Sequence, residues 1–321
     1  MIRLKPIVLA AGLSSLTLPA FAGPIASDLD CFSCVDANEI KANAVDARAL
    51  ADDAVFARTI VVRADGTPKD NCDVLIKALA ITSGADADNP YLIKLDAGIY
   101  DCEFPDVVEM NPYVDIEGSG QSTTVIQGYA LPVVRVAENS EIRQLTVVAL
   151  GLSRGVEMRG MNASAAHLTV EAYRTENGSI PTGISIGQPT ENPSTIPVEV
   201  NLDHVTVRAG LSSDGPLRDP GEIIGTALHI GGPSLVRMTD VVAEGARVGL
   251  NVVAANAAEV GATASKFIGR ISSVRVEVTN TGVIVSSQLI GPIGPGAGAL
   301  HCIASYGPAF NVLDPTCLPA P

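Results

Sequence analysis

From about residue 113 onward, apolar and polar residues alternate in short runs separated by Gly and polar turns. Two kinds of run recur. One is apolar–x–apolar, often after Gly: Val114-Asp115-Ile116, Val134-Arg135-Val136, Val156-Glu157-Met158, Ile184-Ser185-Ile186, Leu228-His229-Ile230, Leu250-Asn251-Val252 and Val283-Ile284-Val285. The other starts on a polar residue: Gln144-Leu145-Thr146-Val147, His167-Leu168-Thr169-Val170 and His204-Val205-Thr206-Val207. Asp240-Val241-Val242 and Lys266-Phe267-Ile268 follow more loosely. Period-two alternation marks strands with one buried side, so the outer residues of each triplet point inward and the central one outward. Two strand types returning about every 22 residues predict a parallel solenoid, because no coil can bury its apolar side alone. The expected fold is all-β: a right-handed parallel β-helix over residues 113–299, with about seven to eight coils.

Residues 61–112 read as an N-terminal cap and first coil. Val61–Ala64 has strand character. Asp73 is placed to N-cap a short helix with Leu75, Ile76 and Leu79 on its apolar side, and Gly84 ends it. An acidic loop follows, in which Asp86, Asp88 and Asn89 either form a solvated turn or offer oxygen ligands to Ca²⁺, without EF-hand spacing. Tyr91–Leu95 then reads as a strand and Asp96-Ala97-Gly98 as a turn into Ile99-Tyr100. Such a helix covers a solenoid's open end.

The chain's first 22 residues have the form of a signal peptide. Arg3 and Lys5 precede an apolar stretch, and Ala20-Phe21-Ala22 fits a cleavage site. The stretch is too short to span a bilayer well, and no later segment is apolar for long enough. Secretion, or residence in the periplasm or at the cell surface, is therefore expected. In residues 23–60, apolar residues recur every five positions at Ile40, Val45, Leu50, Val55 and Ile60. That step suits neither a simple helix nor a simple strand. It fits a repeat stalk that could join chains into a homo-oligomer, such as a trimer, through residues 37–60. An Ala-rich helix or a linker is the plainer reading.

Six cysteines in an exported chain point to disulfides. Nearness along the chain pairs Cys31 with Cys34, Cys72 with Cys102 and Cys302 with Cys317. Cys31-Phe-Ser-Cys34 is also a spacing used by redox and zinc sites, though no second pair lies near it. Residues 300–321 read as a disulfide-closed C-terminal cap that shields the last coil from edge-to-edge association.

The run Ile93–Gly128 resembles the opening coils of secreted proteins of the pectin-lyase-like fold. Ile116, Gly118, Gly120, Thr124, Ile126 and Gly128 match their v-x-I-x-G-x-G-x-x-x-T-x-I-x-G segment. The resemblance extends over roughly residues 90–300 and implies a right-handed parallel β-helix. That fold hosts lyases, hydrolases, esterases, adhesins and fibre proteins, so activity does not follow from it. The enzyme signatures are missing. The sole Asp-Asp is Asp52-Asp53, in the N-terminal repeat. No Gly-His-Gly occurs, and the absence of tryptophan rules out a Trp-x-Asp-His segment.

The first outward column reads Asp115, Arg135, Glu157, Ser185, His229, Asn251, Ile284. It is either a surface ion-pair ladder or a groove. In the groove reading, Glu157 and His229 act as acid and base about 10 Å apart around Ser185. The second column reads Gln144, His167, His204, Asp240, Lys266. It is a polar stack at a turn, or a metal site through His167, His204 and Asp240.

A formal charge of −14, more negative still without Arg3 and Lys5, disfavours nucleic acid, anionic membranes and unbridged anionic polysaccharide. Between residues 131 and 300 the aromatic residues are Tyr173 and Phe267, which argues against a long saccharide cleft. The leading expectation is a non-catalytic exported β-helix with a surface-structural or interaction role toward a cell-surface or polysaccharide ligand. The alternative is a carbohydrate-active enzyme, a polysaccharide lyase or glycoside hydrolase, built on Glu157, Ser185 and His229. Ca²⁺ is the one cofactor suggested, at Asp86 and Asp88.

Overall fold

Apolar residues spaced two apart line the inside of every coil. The computed structural model describes residues 58–319 except 152–153, 175–179, 188–197, 213–224, 254–257, 278–279 and 295–298. The described residues all belong to one unit, Ala54–Pro321. Residues 1–22, expected from sequence to be a signal peptide, Cys31, Cys34 and residues 37–57 of the expected repeat lie outside them.

The chain forms a right-handed parallel β-helix with three walls. The first wall runs through Arg58–Val62, Tyr91–Leu95, Val114–Glu117, the start of Glu141–Ala149, the start of Ala163–Arg174, Val198–Asp203, Ser234–Thr239, Glu259–Thr263, Thr281–Val285 and Ala299–Ile303. The second runs from Gly98–Cys102 through Thr124–Gly128 and the later halves of those two long strands, then through Thr206–Ser212, Val242–Gly245 and Lys266–Gly269 to Gln288–Ile290. The third holds seven strands: Val108–Glu109, Val134–Val136, Arg154–Met158, Thr182–Ile186, Thr226–Ile230, Val248–Val252 and Ser272–Val276. Neighbouring strands pair in parallel in all three, one coil apart in sequence.

The bend from first to second wall is one residue deep. Gln144, His167, His204, Asp240, Ala264, Ser286 and Ala304 each take a positive φ, between 47° and 58°. One left-handed residue turns the strand without breaking it, so Glu141–Ala149 and Ala163–Arg174 serve both walls. Each following residue is buried: Leu145, Leu168, Val205, Val241, then Ser265, Ser287 and Ser305. The serines form a ladder. The backbone N–H groups of Val241, Ser265 and Ser287 donate to the next hydroxyl down, at 3.2, 3.0 and 3.4 Å. The hydroxyls donate back to the carbonyls of Thr263, Val285 and Ile303. Buried polar groups are thereby partnered, as interiors require.

At the N-terminal end, helix α1 spans Pro68–Ile81 and buries Cys72, Leu75, Ala78 and Leu79 against the first coil. Its N-cap is Thr67 and not Asp73. The Thr67 hydroxyl accepts from Asp70 N–H while Asp70 accepts from Thr67 N–H, and Pro68 opens the first turn. This reciprocal capping box, with proline at the first helical position, outcompetes a lone aspartate. Cys72–Cys102 ties the helix to the second wall. Cys302–Cys317 fastens the C-terminal tail, and the N–H of Cys302, on the outer side of the last first-wall strand, donates to Pro315 O at 3.2 Å.

Two sequence expectations place strands on the wrong wall. Val114-Asp115-Ile116 and Val283-Ile284-Val285 belong to the first wall and not to the third. Alternation is identical on every wall, so period two cannot assign a strand to one of them. Ile284 is a core residue, 1% exposed.

Candidate functional site

The third wall carries an outward column that the strand register fixes as Glu109, Arg135, Glu157, Ser185, His229, Asn251, Arg275. Glu109 stands where the sequence reading put Asp115, and Arg275 where it put Ile284. Glu157, Ser185 and His229 do fall on three successive rungs, which sets Glu157 and His229 about 10 Å apart.

Glu157 is completely buried. Three guanidinium groups enclose it. Arg135 Nε lies 3.0 Å from Oε2, Arg159 Nη2 lies 2.9 Å from both oxygens, and Arg154 Nη1 lies 3.4 Å from Oε1. Arg135 also pairs with Glu109 one rung earlier. Arg154 and Arg159 were absent from the sequence-derived site. Arg159 sits two residues from Glu157, on the same side of the strand by period two, and that spacing was its signal.

His229 is mostly buried. Burial pushes its pKa below the ordinary imidazole value, and the nearby Arg154 charge adds to the shift. Its Nδ1 lies 3.4 Å from Asn251 Nδ2. Further along, Asn251 Oδ1 and Arg275 Nε are buried without a hydrogen-bond partner among the described residues. Ser185 is 2% exposed. The column thus holds a packed ion cluster at one end, then the uncharged Ser185, His229 and Asn251, and ends on Arg275, whose Nη2 lies 3.0 Å from Glu277.

The bend column contains Ala264 where Lys266 was expected. Lys266 pairs with Val242, two residues further into the second wall. The His167 and His204 rings stack, with centroids 4.8 Å apart and planes at 30°. His204 lies 3.0 Å from Asp203 and 3.5 Å from Asp240 through its two nitrogens. Stacked parallel rings do not converge on one point between them. Among the described residues, no group of three or more His, Cys, Asp or Glu side chains could hold a metal. In the acidic loop, Asp86 Oδ1 accepts from Asp88 N–H, Asn89 N–H and Asn89 Nδ2 at 2.9, 2.8 and 3.2 Å. The hydrogen bonds from Asn89 lower the Asp86 pKa. This is an aspartate closing its own turn.

On the first wall, Arg143 sits among Asp115, Glu117 and Glu141, with Lys94 also on Glu117. Burial raises the Asp115 pKa against the pull of Glu141 N–H and Arg143. Glu117 is lowered instead, because Lys94 and Arg143 outweigh its burial.

No protein-family model matches the sequence, and no curated protein matches it either. Solved structures do. Pectin methylesterase from carrot aligns over 78% of this chain and 82% of its own, at 13% identity and a TM-score of 0.50. Pectin methylesterase PemA from Erwinia chrysanthemi aligns over 81% and 92%, at 10% identity and 0.47. The A-module of mannuronan C-5 epimerase AlgE4 from Azotobacter vinelandii aligns over 74% and 72%, at 12% identity and 0.44. These neighbours are carbohydrate-active enzymes. The likeness to the carrot protein shows the fold, and at 13% identity it shows the fold alone.

Proposed function

We propose that this chain is an exported, non-catalytic β-helix with a surface-structural or interaction role. The observation that carries the reading is the state of Glu157. A general acid or base must come within hydrogen-bond reach of the proton it moves. Glu157 has no exposed surface, and both of its oxygens already face guanidinium donors. The column therefore reads as structure at the very residue that would have anchored chemistry. Two disulfides suit an oxidising compartment outside the cytoplasm. Among the described residues, no helix is long and apolar enough to cross a membrane.

The test is incubation of the full chain with a panel of acidic and neutral polysaccharides, with and without Ca²⁺. Reducing ends, unsaturated products and released methanol are measured. No turnover is expected, and reproducible turnover overturns the reading. A Ca²⁺-dependent rise in melting temperature would reveal a calcium role. Light scattering with and without residues 23–60 reads out the oligomer proposed for residues 37–60; a monomer in both cases removes it.

The second reading is a polysaccharide lyase or glycoside hydrolase on the third wall. It is favoured by His229, an imidazole whose pKa burial lowers, two rungs from Glu157 with Ser185 between them. Turnover abolished by His229→Ala and Glu157→Gln would support it. Turnover surviving both would defeat that assignment.

A further inference from the structure

Between residues 131 and 300 the aromatic residues are Tyr173 and Phe267, but the strand register gives Tyr173 neighbours from earlier coils. Gly128 pairs with Ala149, and Ala149 with Ala172. Tyr129 and Leu150 each come one residue later, just past their strands, and Tyr173 comes one residue later at the end of its own, half-buried and paired with Leu211. They hold one position on three consecutive rungs, and Leu150 N–H donates to Gly128 O at 2.8 Å in keeping with that alignment. One rung earlier, Phe104 follows Cys102, the partner of Gly128, by two residues. Leu131 adds to the same corner. Phe104 is 76% exposed, and Tyr129 and Leu131 are each 54% exposed. The whole chain has six Phe, six Tyr and no Trp, so three rings along one corner are a concentration and not background scatter.

The geometry points to a stacking track on which this corner binds a neutral polysaccharide, its chain lying along the helix axis. The inference rests on the interaction role proposed above and names its partner. A pyranose ring has an apolar C–H face and a hydroxyl edge, which suits an exposed ring with polar groups beside it. Tyr129 and Tyr173 stand about 10 Å apart, two rungs, so one chain can lie across both with Leu150 beneath it. The polar groups at the rim are mainly acceptors. Glu103 is exposed next to Phe104, and Glu171 accepts from Tyr173 O–H at 3.0 Å while lying 3.4 Å from Arg208. Carboxylates accept from sugar hydroxyls and repel polyanions. With a chain charge of −14, this selects uncharged glycans over uronates. The track lies off the third-wall column and uses none of its residues.

Affinity electrophoresis of the full chain tests it, in gels cast with galactomannan, hydroxyethylcellulose, soluble starch or polygalacturonate. Retardation is expected in at least one neutral gel and not in polygalacturonate. Tyr129→Ala/Tyr173→Ala should weaken it at least about tenfold. Tyr129→Phe should restore wild-type retardation, and Val312→Ala, an exposed apolar change in the C-terminal cap, should leave it unaltered. Tyr129→Ala and Phe104→Ala alone guard against misfolding of the double variant, since both side chains are exposed; each should weaken retardation while the thermal melt stays wild-type. Three results overturn the proposal: no neutral retardation, stronger retardation by polygalacturonate, or full retardation in the alanine variants. Product release from the same polysaccharides is measured separately. It would overturn the non-catalytic reading without bearing on the track.

Discussion

Arg135 and Glu157 face each other from neighbouring rungs of the third wall, Nε to Oε2 at 3.0 Å, with the carboxylate completely buried. Breaking a buried ion pair from one side costs more than the pair is worth, because the partner charges stay behind. Glu157→Gln leaves Arg135, Arg154 and Arg159 crowded around a neutral amide. It is expected to destabilise the fold by about 3 kcal/mol in chemical denaturation. A loss below about 0.5 kcal/mol would mean that the cluster is solvated and that Glu157 is free for chemistry.

His229 makes stability pH-dependent in a defined direction. Its folded pKa lies below the ordinary imidazole value, so the unfolded chain takes up a proton first as pH falls. Its contribution is intact above the unfolded pKa, about 6.5, and declines as pH drops from there toward the folded pKa. The slope from this one group cannot exceed about 1.4 kcal/mol per pH unit. Denaturation midpoints measured between pH 7.5 and 5.5 should fall, and His229→Gln should flatten the fall in that window. An unchanged slope in the variant would place the titration elsewhere.

The bend column offers a gain. Ala264 holds φ 51° and Ala304 φ 47°, where a side chain without a local hydrogen-bonding group is disfavoured. Asparagine tolerates this region better. Ala264→Asn should raise stability by up to about 1 kcal/mol, and the same change at Ala304 should act alike. A loss at both positions would show that the bend tolerates alanine without strain.

Cys302–Cys317 closes a loop of sequence separation 15. Replacing both by Ser should cost about 3 kcal/mol on the chain-entropy account. It should also free the tail whose Pro315 carbonyl covers the outer N–H of Cys302. Size-exclusion chromatography should then show self-association through the uncovered strand. A variant that stays in the wild-type size class would show that the tail holds without its disulfide.

The solenoid was legible because alternation and return length are local properties of the chain. Val156-Glu157-Met158, Ile184-Ser185-Ile186 and Leu228-His229-Ile230 lie on successive rungs as their spacing implied. Asp115 was misplaced because which wall a strand joins depends on its neighbours, and alternation carries no such mark; Ile284 was in addition read in the opposite phase, since Gly282 and Ile284 face in and Val283 faces out. First-wall strands such as Val198–Asp203 and Ser234–Thr239 were missed for a related reason. One left-handed residue joins wall to wall, so no Gly or Pro announces the corner. Of the three arginines around Glu157, Arg135 stood next to it in the expected column, Arg159 carried the period-two signal, and Arg154, three residues before it, had none. Only register brings together Tyr129 and Tyr173, which are distant in sequence and two rungs apart in space.

A solenoid of near-identical apolar coils has a weakness that its stability does not reveal: a coil can dock one repeat too early and still bury its side chains. The buried serines remove that ambiguity at one end. The N–H groups of Val241, Ser265 and Ser287 each donate to a serine hydroxyl on the next rung, whereas the equivalent positions earlier in the chain are Leu145, Leu168 and Val205. A coil with an apolar residue at that position, docked against Ser265 or Ser287, would leave a buried N–H without its acceptor, at about 1–3 kcal/mol. The ladder therefore acts as an address label for the last three coils, one that rejects wrong stackings more than it strengthens the right one.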